Sequence, residues 1–121
     1  MNFKSTLVTL SREVPPEKIF ALQISDAYKP PAPMEDAVVD GLPPHARWSK
    51  AYRPYPFHGG YLPVVQVAKA VLSTGFRGWF STEVFDGGPA GRDFVEPEAF
   101  ESFAKGAMES HQRLLDQCVD T

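Results

Sequence analysis

The sequence has little cysteine, no long apolar run and no cluster of basic residues. Its one cysteine, Cys118, cannot form an internal disulfide, which is typical of proteins from a reducing compartment. The most apolar stretch, residues 64–71, is interrupted by Gln66 and Lys69, so it cannot span a bilayer. The first residues lack the apolar core of a secretory signal. These absences predict a soluble, cytoplasmic protein without a membrane partner.

Positive charge is also scarce. Twelve Lys and Arg residues stand against 15 Asp and Glu, for a net charge of −3. Nucleic-acid binding requires clustered positive charge, so we expect no nucleic-acid partner, even for the aromatic residues of the central loop. The length of 121 residues and the 43% hydrophobic content suit one globular unit. We therefore treat residues 1–121 as a single domain.

Hydrophobic spacing and turn residues predict alternating helices and strands. A helix is predicted over residues 4–13, with a strand as the alternative because several of these residues are β-branched. Short apolar segments at 19–25 and 78–85 predict two strands, the first buried on both faces. Further helices are predicted over 63–74 and from Pro97 onward, each opening at a proline. This alternation indicates an α/β fold with parallel strands.

The segment 26–62 contains seven prolines and is predicted to be irregular. So long a loop inside a compact domain is typical of a lid or a binding loop. Its aromatic and aliphatic side chains give it much to bury, which is unlike a linker.

Polar side chains lie where the two predicted strands end. Gln23 and Glu83 are near the strand ends, and Asp26 and Asp86 lie just beyond them. Ligands of parallel α/β folds bind at this edge, and carboxylate and amide oxygens suit Mg²⁺ or Mn²⁺. Two ligands do not complete a site for an ion that takes about six oxygens. The alternative is that Glu83 pairs with an arginine such as Arg53 or Arg77.

Two loop residues carry further chemistry. Arg53 lies in a proline-rich turn that could hold its guanidinium toward an anionic or hydroxylated substrate. It could instead pair with Asp26 or Asp86. His58 could act as a general acid or base near neutral pH, or be merely solvated.

Three stretches resemble the sugar phosphate isomerase/epimerase superfamily, whose fold is a xylose-isomerase-like barrel, and within it the 3-dehydroshikimate dehydratases. They are residues 16–26, residues 43–64 including Trp48 and Arg53, and residues 75–85. The resemblance implies a partial (β/α)8 barrel corresponding to the last third of the family fold. It implies Gln23 and Glu83 as ligands of a divalent metal, and Arg53 as a substrate contact. We add Asp26 and Trp48 as expected substrate contacts.

The chain also departs from the family pattern. A Glu on a middle strand and an Asp and a His on the sixth strand, which complete the family site, would precede Met1. Where the family loop has an acidic residue, this chain has His58. The resemblance thus implies only part of a site.

These features predict a small lyase or isomerase (a dehydratase, isomerase or cyclase) acting on a small molecule next to a carbonyl group. In a metal-dependent version the ion polarises the carbonyl, and in a metal-free version Glu83 is the acid/base with His58 as its partner. The alternatives are a non-catalytic module that binds a ligand or completes a partner's barrel, and a truncated remnant. Two strands leave edges open, so we expect an obligate homo-oligomer, most simply a dimer, or a partner chain.

Overall fold

The computed structural model describes residues 2–94 and 96–119 and shows a small α/β arrangement. The helices are α1 (Phe3–Glu13), α2 (Pro44–Ser49), α3 (Val64–Ser73) and α4 (Phe100–Cys118). The strands are β1 (Ala21–Ile24), β2 (Tyr52–Arg53), β3 (Trp79–Thr82) and β4 (Phe85–Asp86). Single 3-10 turns occupy Pro16–Lys18 and Pro97–Ala99. Within these residues, no helix combines the length and apolar character needed to cross a membrane.

The central feature is a parallel pair of strands, β1 and β3, connected through α3. Gln23 stands opposite Ser81 and Ile24 opposite Thr82, which confirms the predicted parallel pairing. Side chains alternate between the two faces of the pair, so Ile24 is buried against the helices while Gln23 is exposed. The prediction of a strand buried on both faces was therefore wrong, because no second layer covers the other face within the described residues.

The core lies between this pair of strands and two helices. Its buried centre is formed by Ile24, Val64, Ala68 and Leu114, so β1, α3 and α4 share one cluster. Helix α1 packs on α3 and buries no residue of its own. Helix α1 was predicted correctly over residues 4–13. Helix α3 ends at Ser73, two residues before Gly75, whose φ of +100° few other residues adopt.

The predicted irregular loop and the second predicted strand both needed correction. Segment 26–62 contains α2 and β2, although the rest of it is irregular. The predicted strand 78–85 divides into β3 and β4, because the chain leaves its parallel partner after Thr82 and pairs antiparallel with β2. Arg53 then stands opposite Phe85 and Tyr52 opposite Asp86. We call this pair of two-residue strands the β2–β4 ribbon.

Helix α4 carries an apolar stripe, but only part of that stripe is covered. Leu114 is fully buried, whereas Phe100 remains 57% exposed. His111, on the same helix, is half-buried with Nδ1 2.9 Å from the Thr82 hydroxyl. Outside the stripe, Trp79 on the open face of β3 is 81% exposed. Apolar surface is therefore open both on α4 and on the open face of β3.

Candidate functional site

The candidate site lies at the C-terminal ends of β1 and β3, where the β2–β4 ribbon crosses them. The chain beyond β1 is fixed to β2 by two backbone hydrogen bonds, from Asp26 N–H to Pro54 O at 2.8 Å and from Tyr28 N–H to Tyr52 O at 2.9 Å. The Glu83 N–H donates to Ile24 O at 3.2 Å and extends the parallel ladder by one residue. The strand ends and the ribbon thus form one hydrogen-bonded unit, which places polar side chains at the edge where parallel α/β folds bind ligands.

An ion pair between Arg53 and Glu83 is the central feature of this edge. The guanidinium Nη2 lies 3.0 Å from Glu83 Oε2. The same guanidinium donates to Ser25 Oγ at 3.2 Å through Nε and to Ser49 Oγ at 3.1 Å through Nη1. The Arg53 side chain is 19% exposed and that of Glu83 is 44% exposed. Arg53 is therefore firmly held, while the carboxylate remains half open to solvent.

This pairing matches the alternative given for Glu83 from the sequence, in which it pairs with a nearby arginine. Neither Asp26 nor Asp86 takes Arg53 as a partner within 4.0 Å among the described residues. Arg53 instead also lies over the Phe85 ring, 5.5 Å from its centroid. In such a pair the fixed guanidinium can bind an anionic or carbonyl oxygen, and the half-exposed carboxylate can accept a proton.

The residues present do not by themselves suit a divalent metal. Gln23 is exposed on the same open face as Ser81, and Glu83 follows two residues later along that face. The Glu83 carboxylate already has a cation, Arg53, at 3.0 Å. Among the residues that the structure describes, no group of three or more His, Cys, Asp and Glu side chains is arranged to hold a metal ion. An ion here would need ligands from elsewhere and a different place for Arg53.

His58 lies in a second cluster. Its Nε2 is 3.9 Å from Asp86 Oδ2, and its ring packs 4.5 Å from the centroid of Tyr55. Tyr28 joins the two residues, because its hydroxyl oxygen lies 3.0 Å from His58 O and 3.3 Å from Asp86 Oδ2. Burial, followed by the charge of Asp86, raises the pKa of Tyr28 to about 12. His58 thus has Asp86 as its acidic neighbour, and no ion pair joins it to Glu83 among the described residues.

The two clusters occupy opposite faces of the β2–β4 ribbon. Neighbouring residues of a strand point to opposite faces, so the Arg53–Phe85 pair lies on one face and the Tyr52–Asp86 pair on the other. Glu83 contacts Arg53 on the first face, and His58 lies next to Asp86 on the second face.

Asp26 has surroundings that differ from those expected of a substrate contact, whereas nothing in the structure decides the role of Trp48. Asp26 is only 4% exposed, and its Oδ1 accepts hydrogen bonds from Ala27 N–H at 2.7 Å and Leu62 N–H at 2.8 Å. Its carboxylate therefore holds backbone together. Trp48 is half-buried on α2, next to the Ser49 that contacts Arg53. Its role stays a prediction.

Sequence reasoning missed Ser25, Ser49 and Tyr28 as members of these clusters. The two serines are separated by 24 positions and meet only because β2 returns the chain to the end of β1. Tyr28 carries no pattern of its own in the sequence. The available signal was positional, because Ser25 and Tyr28 lie within four residues of the end of β1.

No family model matches the chain, and no curated protein does. A solved structure described as a "xylose isomerase-like TIM barrel/4-hydroxyphenylpyruvate dioxygenase fusion protein" matches 93% of the chain at 26% identity with a TM-score of 0.66. The chain resembles part of a TIM barrel. It spans only 15% of that larger protein, so the likeness extends to a small part of it.

Proposed function

We propose that this chain provides part of the active site of a lyase or isomerase that moves a proton next to a carbonyl group of a small molecule. The observation that supports this most is the Arg53–Glu83 pair at the C-terminal ends of two parallel strands. Ligands of TIM barrels bind at that edge, and the similar solved structure is a xylose isomerase-like barrel.

In this proposal Glu83 and Arg53 have complementary tasks. The Glu83 carboxylate removes a proton from the carbon beside the carbonyl group, and the electron pair of that C–H bond moves to the carbonyl oxygen. Arg53 donates hydrogen bonds to the enolate oxygen so formed, which the contacts with Ser25 and Ser49 prepare it to do. The substrate oxygen replaces Glu83 as the partner of Arg53, which frees the carboxylate to act as a base.

The second half of the reaction decides its class. When the enolate expels a hydroxyl group that takes a proton from an acid, water leaves and the enzyme is a dehydratase. When the enolate is protonated on a neighbouring atom, the enzyme is an isomerase. Glu83 returns the proton that it removed in either case, because His58 lies on the opposite face of the ribbon. A divalent ion would be an addition to this scheme, and its remaining ligands would come from other strands.

The test is turnover of a dehydratable keto acid, 3-dehydroshikimate, and of a panel of keto sugars, with and without a chelator. We expect Glu83→Gln to lower kcat at least about 100-fold, because general-base contributions are typically about 10²–10⁴-fold. Glu101→Gln is the matched control, since Glu101 is exposed on the first turn of α4. Wild-type turnover in Glu83→Gln would reject the role of Glu83.

A second candidate function is supported by the open face of the parallel pair. Trp79 on this face is 81% exposed, and one edge of each parallel strand has no partner among the described residues. Proteins seldom leave such edges uncovered. We propose that the face is covered by another barrel segment, either from a second copy of this chain or from a partner chain. A module of this kind would show no turnover alone, and sedimentation would show an assembly larger than 13.4 kDa.

A further inference from the structure

The acidic neighbour of His58 is itself held from two sides. Asp86 Oδ1 accepts a hydrogen bond from Gly88 N–H at 2.8 Å, and Oδ2 lies 3.3 Å from the Tyr28 hydroxyl. The Asp86 side chain is only 8% exposed, whereas that of His58 is 50% exposed. The carboxylate is therefore fixed and largely desolvated, and it faces an imidazole that solvent can reach.

The loop that carries His58 is also held in place. Phe57 has a φ of +65° and Gly59 a φ of +87°, so the backbone is left-handed on both sides of the histidine. Such a conformation costs about 1–3 kcal/mol for a residue other than glycine and persists only where its surroundings enforce it. Here the Tyr28 hydroxyl donates to His58 O at 3.0 Å and the Tyr55 ring packs on the imidazole.

His58 and Asp86 both line a cavity of about 280 Å³, separate from the Arg53–Glu83 pair. Phe94 and Phe103 form its apolar wall, and Asp93 contributes a second carboxylate. The cavity is large enough for a small organic molecule beside the imidazole.

We infer that Asp86 is the positioning residue of His58: its fixed carboxylate faces Nε2 and favours the neutral imidazole with its proton on that nitrogen, which leaves Nδ1 as the proton acceptor of the ring. The group that faces a ring nitrogen influences which nitrogen carries the proton. The separation of 3.9 Å is an ion-pair distance rather than a hydrogen bond, so the effect is that of the charge of Asp86. The inference goes beyond the proposed function, because His58 and its cavity lie apart from the Arg53–Glu83 pair.

The test is the tautomer of His58, measured by long-range ¹H–¹⁵N correlation spectra of the ¹⁵N-histidine-labelled full chain. The spectra are recorded at about pH 9, so that the neutral forms of the imidazole are observed. We expect the Nε2–H form alone for His58 in the wild type. His45 is the internal reference, because it is exposed and has no acidic partner within 4.0 Å among the described residues, and it should show both tautomers.

Asp86→Asn tests the cause, and Asp93→Asn is its matched control in the same cavity. We expect Asp86→Asn to convert His58 to a mixture like that of His45, and Asp93→Asn to leave the single form. A mixture in the wild type, an unchanged tautomer in Asp86→Asn, or an equal shift in Asp93→Asn would overturn the inference. If Asp86→Asn does not fold, the comparison of the His58 and His45 tautomers in the wild type still tests the inference. Turnover does not enter this readout, so a negative assay of Glu83→Gln bears on the proposed function alone.

Discussion

Removing the Asp26 carboxylate should cost stability rather than substrate affinity. Its Oδ1 accepts hydrogen bonds from Ala27 N–H and Leu62 N–H, and the residue is 4% exposed. Hydrogen bonds to a charged group contribute about 1.5–3 kcal/mol each, so loss of both in Asp26→Ala should lower the free energy of unfolding by about 3–6 kcal/mol. Asp26→Asn keeps the shape and an acceptor oxygen. It should cost about 1.5–3 kcal/mol, since charge roughly doubles the strength of such bonds.

The packing around Asp26 offers an independent check. A methyl group on Gly60 would overlap the Asp26 carboxyl group, so Gly60→Ala should destabilise the same junction by forcing the backbone apart. Asp36→Ala is the control, because Asp36 is exposed in the same long segment and should change stability by less than about 0.5 kcal/mol.

The assay is urea unfolding followed by tryptophan fluorescence at one fixed protein concentration, because any self-association would shift the transition. The slope with urea should be equal in all variants, so that a shifted midpoint reports stability. If Asp26→Ala unfolds like the Asp36 control and instead loses only substrate binding, the structural role argued for Asp26 is wrong.

The remaining predictions concern the two clusters and the open face. Arg53→Ala should raise KM and also lower kcat in steady-state kinetics, because Arg53 binds the substrate oxygen and then the enolate. Equal losses in Arg53→Ala and in the exposed control Arg12→Ala would contradict this role. The raised pKa of Tyr28 means that its neutral hydroxyl stabilises the fold fully below pH 10, and that this stabilisation is lost as the pH rises through about 12. In an absorbance titration, the phenolate signal that is present in wild type and missing in Tyr28→Phe should therefore have its midpoint near pH 12. Asp86→Asn should lower the pH of this midpoint. A wild-type midpoint near pH 10 would refute the buried contact between Tyr28 and Asp86. Trp79→Ser should weaken the association of the chain, measured by sedimentation. A wild-type chain that remains a folded monomer at micromolar concentration would reject the proposal that a second copy covers the open face.

Local signals in the sequence were enough to predict the parallel pair of strands and the helices that pack on it. Apolar runs bounded by proline and glycine predicted β1, β3 and α3, because each of these elements is specified by neighbours in the chain. The same runs could not tell that one face of β1 stays open, since an apolar run does not show what covers it. The location of Glu83 at a strand end and its possible pairing with Arg53 also followed from order along the chain.

Long-range pairing decided what the sequence left open. Each strand of the β2–β4 ribbon has only two residues, too few for any periodicity, and the strands pair across more than 30 positions. The metal-free version therefore paired His58 with Glu83, whereas His58 has Asp86, three residues later, as its acidic neighbour. The fold gives those two carboxylates different neighbours.

The shortness of the β2–β4 ribbon makes both clusters depend on a single alignment of the chain. A shift by one residue inverts the side chains of a strand, so one inserted residue between Glu83 and Phe85 would turn Asp86 away from His58. Phe85 would at the same time leave the guanidinium of Arg53. Insertions at this point should therefore damage both polar clusters together, whereas insertions of similar size in the exposed stretch around residues 31–33 should damage neither.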